Sequence, residues 1–199
     1  MLIKHIKAMD KTYIQVDSDC DGYTSSALLI NYLYSLFPHF VDTCVTWGLH
    51  KTKEHGIDLD FLPEDAKFII VPDASSNEFE LHKELKDKGI DILVIDHHEA
   101  EMVSPNACII NNQLDDYPNK TLSGVGMVYK FCCYIDSLLE KDNVNEFIDL
   151  VAVGLTGDMM DVRTFETREL IRRGFEKIRN PFIAGIIDRD LFHFSGEIT

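Results

Sequence analysis

The residues with the plainest chemistry sit in one short run, Asp17-Ser18-Asp19-Cys20-Asp21-Gly22, directly after the apolar segment Tyr13 to Val16. Carboxylates spaced two apart project to one side of an extended chain, where they repel one another unless cations lie among them. The pattern is therefore a signature of a hard-metal site. D-x-D-x-D-G is also how a calcium-binding helix-loop-helix begins. Here, however, Leu28 occupies the position of the bidentate Glu, and a strand pattern precedes the run in place of a helix. A polar turn in which one Asp caps the helix beginning near Thr24 explains a single carboxylate and leaves the others without a reason.

More groups of the same chemistry lie further along. Lys67 to Val71 reads as a strand and runs into Pro72-Asp73, and Ile92 to Ile95 reads as a strand and runs into Asp96-His97-His98. Asp158 follows the apolar run Leu150 to Leu155 in Gly157-Asp158-Met159-Met160-Asp161, where a helix end can present a carboxylate to the same place. In a His pair, one imidazole can coordinate a metal while its neighbour faces the substrate. Oxygen-rich ligation with one or two imidazoles suits manganese or magnesium better than zinc. Two such cations can activate a water and neutralise charge on a phosphoryl group in transfer.

For these residues to meet, the elements carrying them must share an edge. Tyr13 to Val16, Val41 to Trp47, Lys67 to Val71, Ile92 to Ile95 and Ala107 to Ile110 read as strands. Thr24 to Leu36, Glu78 to Lys88, Gly126 to Leu139, Val144 to Leu155 and Glu166 to Ile178 have helical length and apolar spacing. The alternation predicts an α/β fold, a three-layer α/β/α domain with a mainly parallel five-stranded sheet covered on both faces. Open parallel sheets bind ligands at the carboxyl ends of their strands, which is where the Asp and His groups fall. Pro181 is expected to end a helical pattern, and Asp188 to Thr199 shows no strong period.

Bulk properties agree with one domain. At 199 residues and 45% hydrophobic content the chain can bury a full core. Cys20, Cys44, Cys108, Cys132 and Cys133 show no C-x-x-C spacing, which disfavours a zinc ribbon or a disulfide framework, and they are expected to fill core positions in a reducing, cytoplasmic setting. No apolar stretch approaches the roughly 20 residues of a bilayer-spanning helix, so no membrane partner is expected. The formal net charge of -15 argues against a duplex binder with a broad basic face, although carboxylates that hold cations contribute to that number.

Together these motifs resemble the DHH phosphoesterase superfamily, whose triplet here is Asp96-His97-His98, and within it the RecJ-like single-strand exonucleases. Leu122 to Phe131 is similar to their glycine-containing helix start and Thr167 to Gly174 to the helix after the last motif, so the likeness runs from about Tyr13 to Ile187. The resemblance implies a 5′ to 3′ exonuclease on single-stranded DNA with two bound Mn2+ or Mg2+ ions. It implies Asp19, Asp21, Asp73, His97 and Asp158 as metal ligands, with Asp73 bridging. His98 would contact the scissile phosphate or assist the leaving group, and Asp17 would support the ligands from behind. It also implies that residues 1–187 form the catalytic domain, and that 188–199 begin a connection to a C-terminal domain or a partner chain that completes the groove.

The family usually has a histidine where this chain has Gln15, a poor substitute ligand, so one cation is expected to be held less tightly or completed by water. The charge balance slightly favours an alternative, a phosphodiesterase of short oligonucleotides or cyclic dinucleotides, whereas the RecJ-like segments Leu122 to Phe131 and Thr167 to Gly174 favour the exonuclease and weigh more. A non-catalytic scaffold is disfavoured by the retained carboxylates. Ser123-Gly124-Val125-Gly126 can offer backbone N–H groups to a phosphate or simply pack closely. Arg168, Arg172 and Arg173 read equally as a nucleic-acid contact or a solvated face. Trp47 is expected to pack at a strand end rather than stack on a base, and His50 and His55 are too isolated to be ligands.

Overall fold

A computed structural model describes residues 1–50, 56–114 and 116–187. The segment 188–199, expected to begin a connection, and His55 lie outside the described residues. The strands are β1 (Thr12–Val16), β2 (Val45–Leu49), β3 (Phe68–Pro72), β4 (Asp91–Asp96) and β5 (Cys108–Asn111). They form one sheet in the order β2-β1-β3-β4-β5, every neighbouring pair parallel. The helices are α1 (Leu2–Ala8), α2 (Cys20–Leu36), α3 (Pro38–Cys44), α4 (Phe79–Asp87), α5 (Gly124–Leu139), α6 (Ile148–Gly157), α7 (Phe165–Glu176) and α8 (Pro181–Ile187).

The central strands are buried on both faces, and their side chains alternate between two cores as a period of two requires. Ile14, Phe68, Ile70, Leu93 and Ile95 join Leu28, Val125 and Val151 of α2, α5 and α6. Tyr13, Ile69, Val71, Ile92 and Val94 join Leu85 of α4 on the opposite face. The expected three-layer architecture is thus present. The chain leaves β1 for β2 on one side and returns to β3 on the other, so strand order reverses between β1 and β3. A crevice at the carboxyl ends of these strands is where such sheets bind ligands.

Several expected boundaries shift for identifiable reasons. The apolar run from Val41 is not strand until Val45. Pro38 opens α3, and Phe40 and Cys44, four apart and both buried, give that segment a helical period. Helix α1 has only a weak sequence signal, one short turn in which Leu2, His5 and Ile6 are buried. Pro181 begins α8 rather than ending a helix. The Asn180 side chain accepts from the backbone N–H of Phe182 and Ile183, and Pro is favoured at a first helical position. Trp47 is 59% exposed on the edge strand β2 and does not pack at a strand end. Cys44 and Cys132 fill core positions as expected, whereas Cys20 and Cys108 are exposed. No described helix is long and apolar enough to cross a membrane.

Candidate metal centre

Helix α2 starts at Cys20, four residues before the expected Thr24, and this reorganises the acidic run. Asp17 follows β1. Asp19 is the N-cap of α2, its Oδ1 accepting from Gly22 N at 2.8 Å. Asp21 lies in the first helical turn. The three side chains therefore do not line one side of an extended chain, because the helix turns Asp21 towards α5. There Asp21 Oδ1 accepts from Ser123 Oγ at 2.8 Å and from Val125 N at 3.1 Å. The amide at the α5 start that could have met a phosphate is thereby used to orient a carboxylate.

Asp73 directly follows β3 in the left-handed region, with φ 67°, an uncommon conformation for a residue other than glycine. Its N–H donates to Ile95 O at 2.8 Å, joining the turn after β3 to the end of β4. Asp158 caps the C-terminus of α6 and brings its carboxylate to the same crevice. His97 Nε2 then stands 3.2 Å from Asp73 Oδ1, 3.6 Å from Asp158 Oδ2 and 3.8 Å from Asp21 Oδ2. Those three carboxylate oxygens are buried and make no hydrogen bond among the described residues.

Three buried carboxylates that share one imidazole and make no hydrogen bond through these oxygens are strongly unfavourable, and the electrostatics register it. Burial, followed by the nearby Asp21, pushes the Asp73 carboxyl well above its ordinary range. Asp158 is also raised, mainly by burial, with His97 opposing. A divalent cation supplies what these oxygens lack, so the residues fit a metal. Candidate donor sets with atoms within 4.8 Å of one another are Asp21-His97-Asp158, Asp73-His97-His98 and Asp17-Asp19-Asp73. Asp17 is buried and belongs to the last of these sets.

Two glycines make the close packing possible. A Cβ on Gly124 would lie 2.3 Å from Asp73 Oδ1, and one on Gly154 would lie 2.3 Å from Thr24 Oγ1 and 2.8 Å from Asp21 Oδ1. Asp96, the first residue of the triplet, organises the two histidines. Asp96 Oδ1 accepts from His97 N (2.7 Å), His98 N (3.2 Å) and His98 Nδ1 (2.8 Å), while Oδ2 accepts from Ser76 N (3.1 Å). Burial raises the Asp96 carboxyl, but the bonds from His98 and Ser76 outweigh it and bring it down to about 2. The same contact with Asp96 raises His98, whose side chain is about half exposed at 48%.

Gln15 is buried and occupied elsewhere. Its Oε1 accepts from Asp58 N at 2.9 Å, and its Nε2 points to Gly48 O at 3.3 Å. His50 contacts Gly56 O, away from the donor sets. The basic side chains of α7 have internal partners: Arg172 pairs with Glu169 and Glu176, Arg173 donates to Asn145, and Arg168 donates to Val162 O.

An all-parallel sheet with an acidic and histidine cluster at its switch point defines a class, and residues 11–155 match the family model described as DHH family, N-terminal domain. The chain belongs to that family. It is 43% identical over 197 residues to a Bacillus subtilis (strain 168) protein named as the SPbeta prophage-derived single-strand DNA-specific exonuclease YorK, covering 98% of this chain and 34% of that one. It is 27% identical to the single-stranded-DNA-specific exonuclease RecJ of Haemophilus influenzae, covering 90% of this chain and 33% of that protein. Among solved structures, exonuclease RecJ bound to manganese superposes with a TM-score of 0.82 at 19% identity, covering 98% of this chain and 51% of that one. RecJ from Thermus thermophilus in complex with Mn2+ superposes at 0.78, also at 19% identity, covering 98% of this chain and 29% of that one. The chain spans about a quarter to a third of the length of the curated relatives it matches.

Proposed function

We propose that this chain is the metal-binding catalytic part of a 5′ to 3′ exonuclease acting on single-stranded DNA. The observation that carries the proposal is the convergence of Asp21, Asp73 and Asp158 oxygens, buried and without hydrogen bonds among the described residues, around His97 Nε2. The names of the sequence relatives support single-stranded DNA as the substrate, and manganese in the structural neighbours supports the choice of ion.

Asp21, Asp73, His97 and Asp158 would hold one ion, and Asp17, Asp19 and Asp73 a second, with Asp73 common to both. When bound, a pair of Mn2+ or Mg2+ ions activates water and offsets charge on the transferring phosphoryl group. The chain's own contribution is positional. Ser123 and Val125 fix Asp21, and Asp96 fixes the His98 ring through Nδ1. His98, raised and half exposed, can present a proton on Nε2 to a phosphate oxygen or leaving group. A C-terminal domain or a partner chain would complete the groove along which the strand lies.

A second reading, a phosphodiesterase of short oligonucleotides or cyclic dinucleotides, is favoured by the charge of -15 and by the internal pairing of the α7 arginines. Manganese-dependent cleavage across a length series, from dinucleotides to long single strands, separates the two. Stepwise release of nucleotides from the 5′ end of long strands supports the exonuclease. Cleavage confined to the shortest substrates and cyclic dinucleotides overturns it in favour of the second reading.

A further inference from the structure

The turn after β3 contains two left-handed residues within three positions, Asp73 at φ 67° and Ser75 at φ 83°. Neither is glycine, so surrounding contacts must hold this backbone in place. Ser76 N is anchored on Asp96, and Ser76 Oγ accepts from Asn111 Nδ2 at 2.8 Å. Those contacts lie towards β4 and β5. On the other side, towards α4, stands a cluster that the metal centre does not use: Ser75, Glu78 and His82.

Ser75 Oγ contacts Glu78 Oε2 and stands 3.1 Å from His82 Nε2. His82 is fully buried, and its Nδ1 makes no hydrogen bond among the described residues. Burial lowers the His82 imidazole, favouring the neutral ring. The directions of the bonds follow from donor chemistry. A Glu78 carboxylate can only accept, so the Ser75 hydroxyl donates to it. The hydroxyl oxygen is then an acceptor, and His82 must carry its proton on Nε2. Glu78 Oε2 also accepts from Ile57 N at 3.0 Å, tying in the connection between β2 and β3.

We infer that His82, Ser75 and Glu78 form a one-way hydrogen-bond relay that holds the left-handed turn and thereby aims Asp73 at both cation positions. The three are positioning residues, acting on Asp73 through backbone shape with no contact to an ion or substrate. Removing one should weaken cation binding more than it weakens the fold. Supporting groups of this kind are worth about 10–100-fold in metal affinity. The inference rests on the metal-centre reading above.

The test uses the full chain in four forms: wild type, Ser75→Ala, Glu78→Gln and Leu85→Val. Leu85 packs in the core on the α4 face without belonging to the relay, so Leu85→Val controls for simple loosening. Manganese affinity is measured by calorimetry, metal-free stability by thermal melting, and the His82 tautomer by nitrogen NMR on metal-free protein. The expected result is an Nε2–H tautomer in wild type and a manganese affinity of Ser75→Ala about 10–100-fold weaker. Glu78→Gln, whose amide oxygen can still accept, should retain most of the affinity. An Nδ1–H tautomer overturns the relay. So does unchanged manganese affinity in folded Ser75→Ala, or an equal loss in Leu85→Val at the same melting temperature. Failure of wild type to bind manganese would remove the metal-centre reading itself, and so is distinguishable from failure of the relay alone.

Discussion

Replacing Asp96 with Asn should separate the organising role of the triplet's first residue from metal ligation. Its two oxygens accept four hydrogen bonds, from His97 N, His98 N, His98 Nδ1 and Ser76 N. Asparagine can present one acceptor oxygen, and its NH2 would then face either the Ser76 N–H or the histidine donors, setting donor against donor. The drop from an ordinary aspartate at 3.8 to about 2 is on the order of 2–3 kcal/mol for this almost wholly buried group. Leaving one buried donor without a partner costs about 1–3 kcal/mol by a separate measure. Asp96→Asn should therefore lower the unfolding free energy by about 2–4 kcal/mol in urea melts at neutral pH. It should also release the His98 ring and lower activity more than manganese affinity. Because the folded carboxyl is depressed, its contribution is complete above pH 3.8 and fades as pH falls towards about 2. Wild type and variant should thus converge in stability at acid pH. A loss below about 0.5 kcal/mol, the ordinary scatter of harmless surface changes, would refute the reasoning.

Four other outcomes follow from the same geometry. Gly124→Ala sets a Cβ 2.3 Å from Asp73 Oδ1 and should weaken manganese binding by at least about tenfold in a calorimetric titration. Saturating manganese at about 100 times its dissociation constant should stabilise the chelated protein by about 2.7 kcal/mol, or roughly 5–10 °C in a thermal melt; an unchanged melt would count against a metal site. Metal-free protein carries Asp73 and Asp158 with raised carboxyls, so its stability should fall as pH rises through their titration and this slope should flatten with manganese present. With Gln15 bound to Asp58 N, a manganese titration should resolve one tight and one weaker ion, and Gln15→His should narrow the gap; two equally tight ions in wild type would contradict the role given to Gln15.

Much of the centre is legible in the sequence because strand ends are visible as apolar runs followed by Asp or His. Asp73 and His97 needed only the inference that parallel strands present their carboxyl ends together. The internal geometry of the acidic run is less legible. Asp17, Asp19 and Asp21 look equivalent at spacing two, and only the helix start at Cys20 separates a strand-end residue, a cap and a first-turn residue. A start that early has a sequence signal, since Asp is a preferred N-cap, but the acidic spacing competes with it. Asp96 shows how a residue in plain view can be missed. Its type suits a ligand or a support equally, and only the donors surrounding it decide. Short elements were the least legible part of the fold. α1, α3 and α8 each span seven residues, too few for a helical period to stand out from a strand or a loop.

The most direct measurement is manganese-dependent digestion of 5′-labelled single-stranded DNA of mixed lengths by wild type and by Asp73→Ala. The account predicts nucleotide release by wild type with manganese, its loss on chelation, and none from a folded Asp73→Ala. Hydrolysis that survives Asp73→Ala, or its absence at every length in wild-type protein holding manganese, would contradict it.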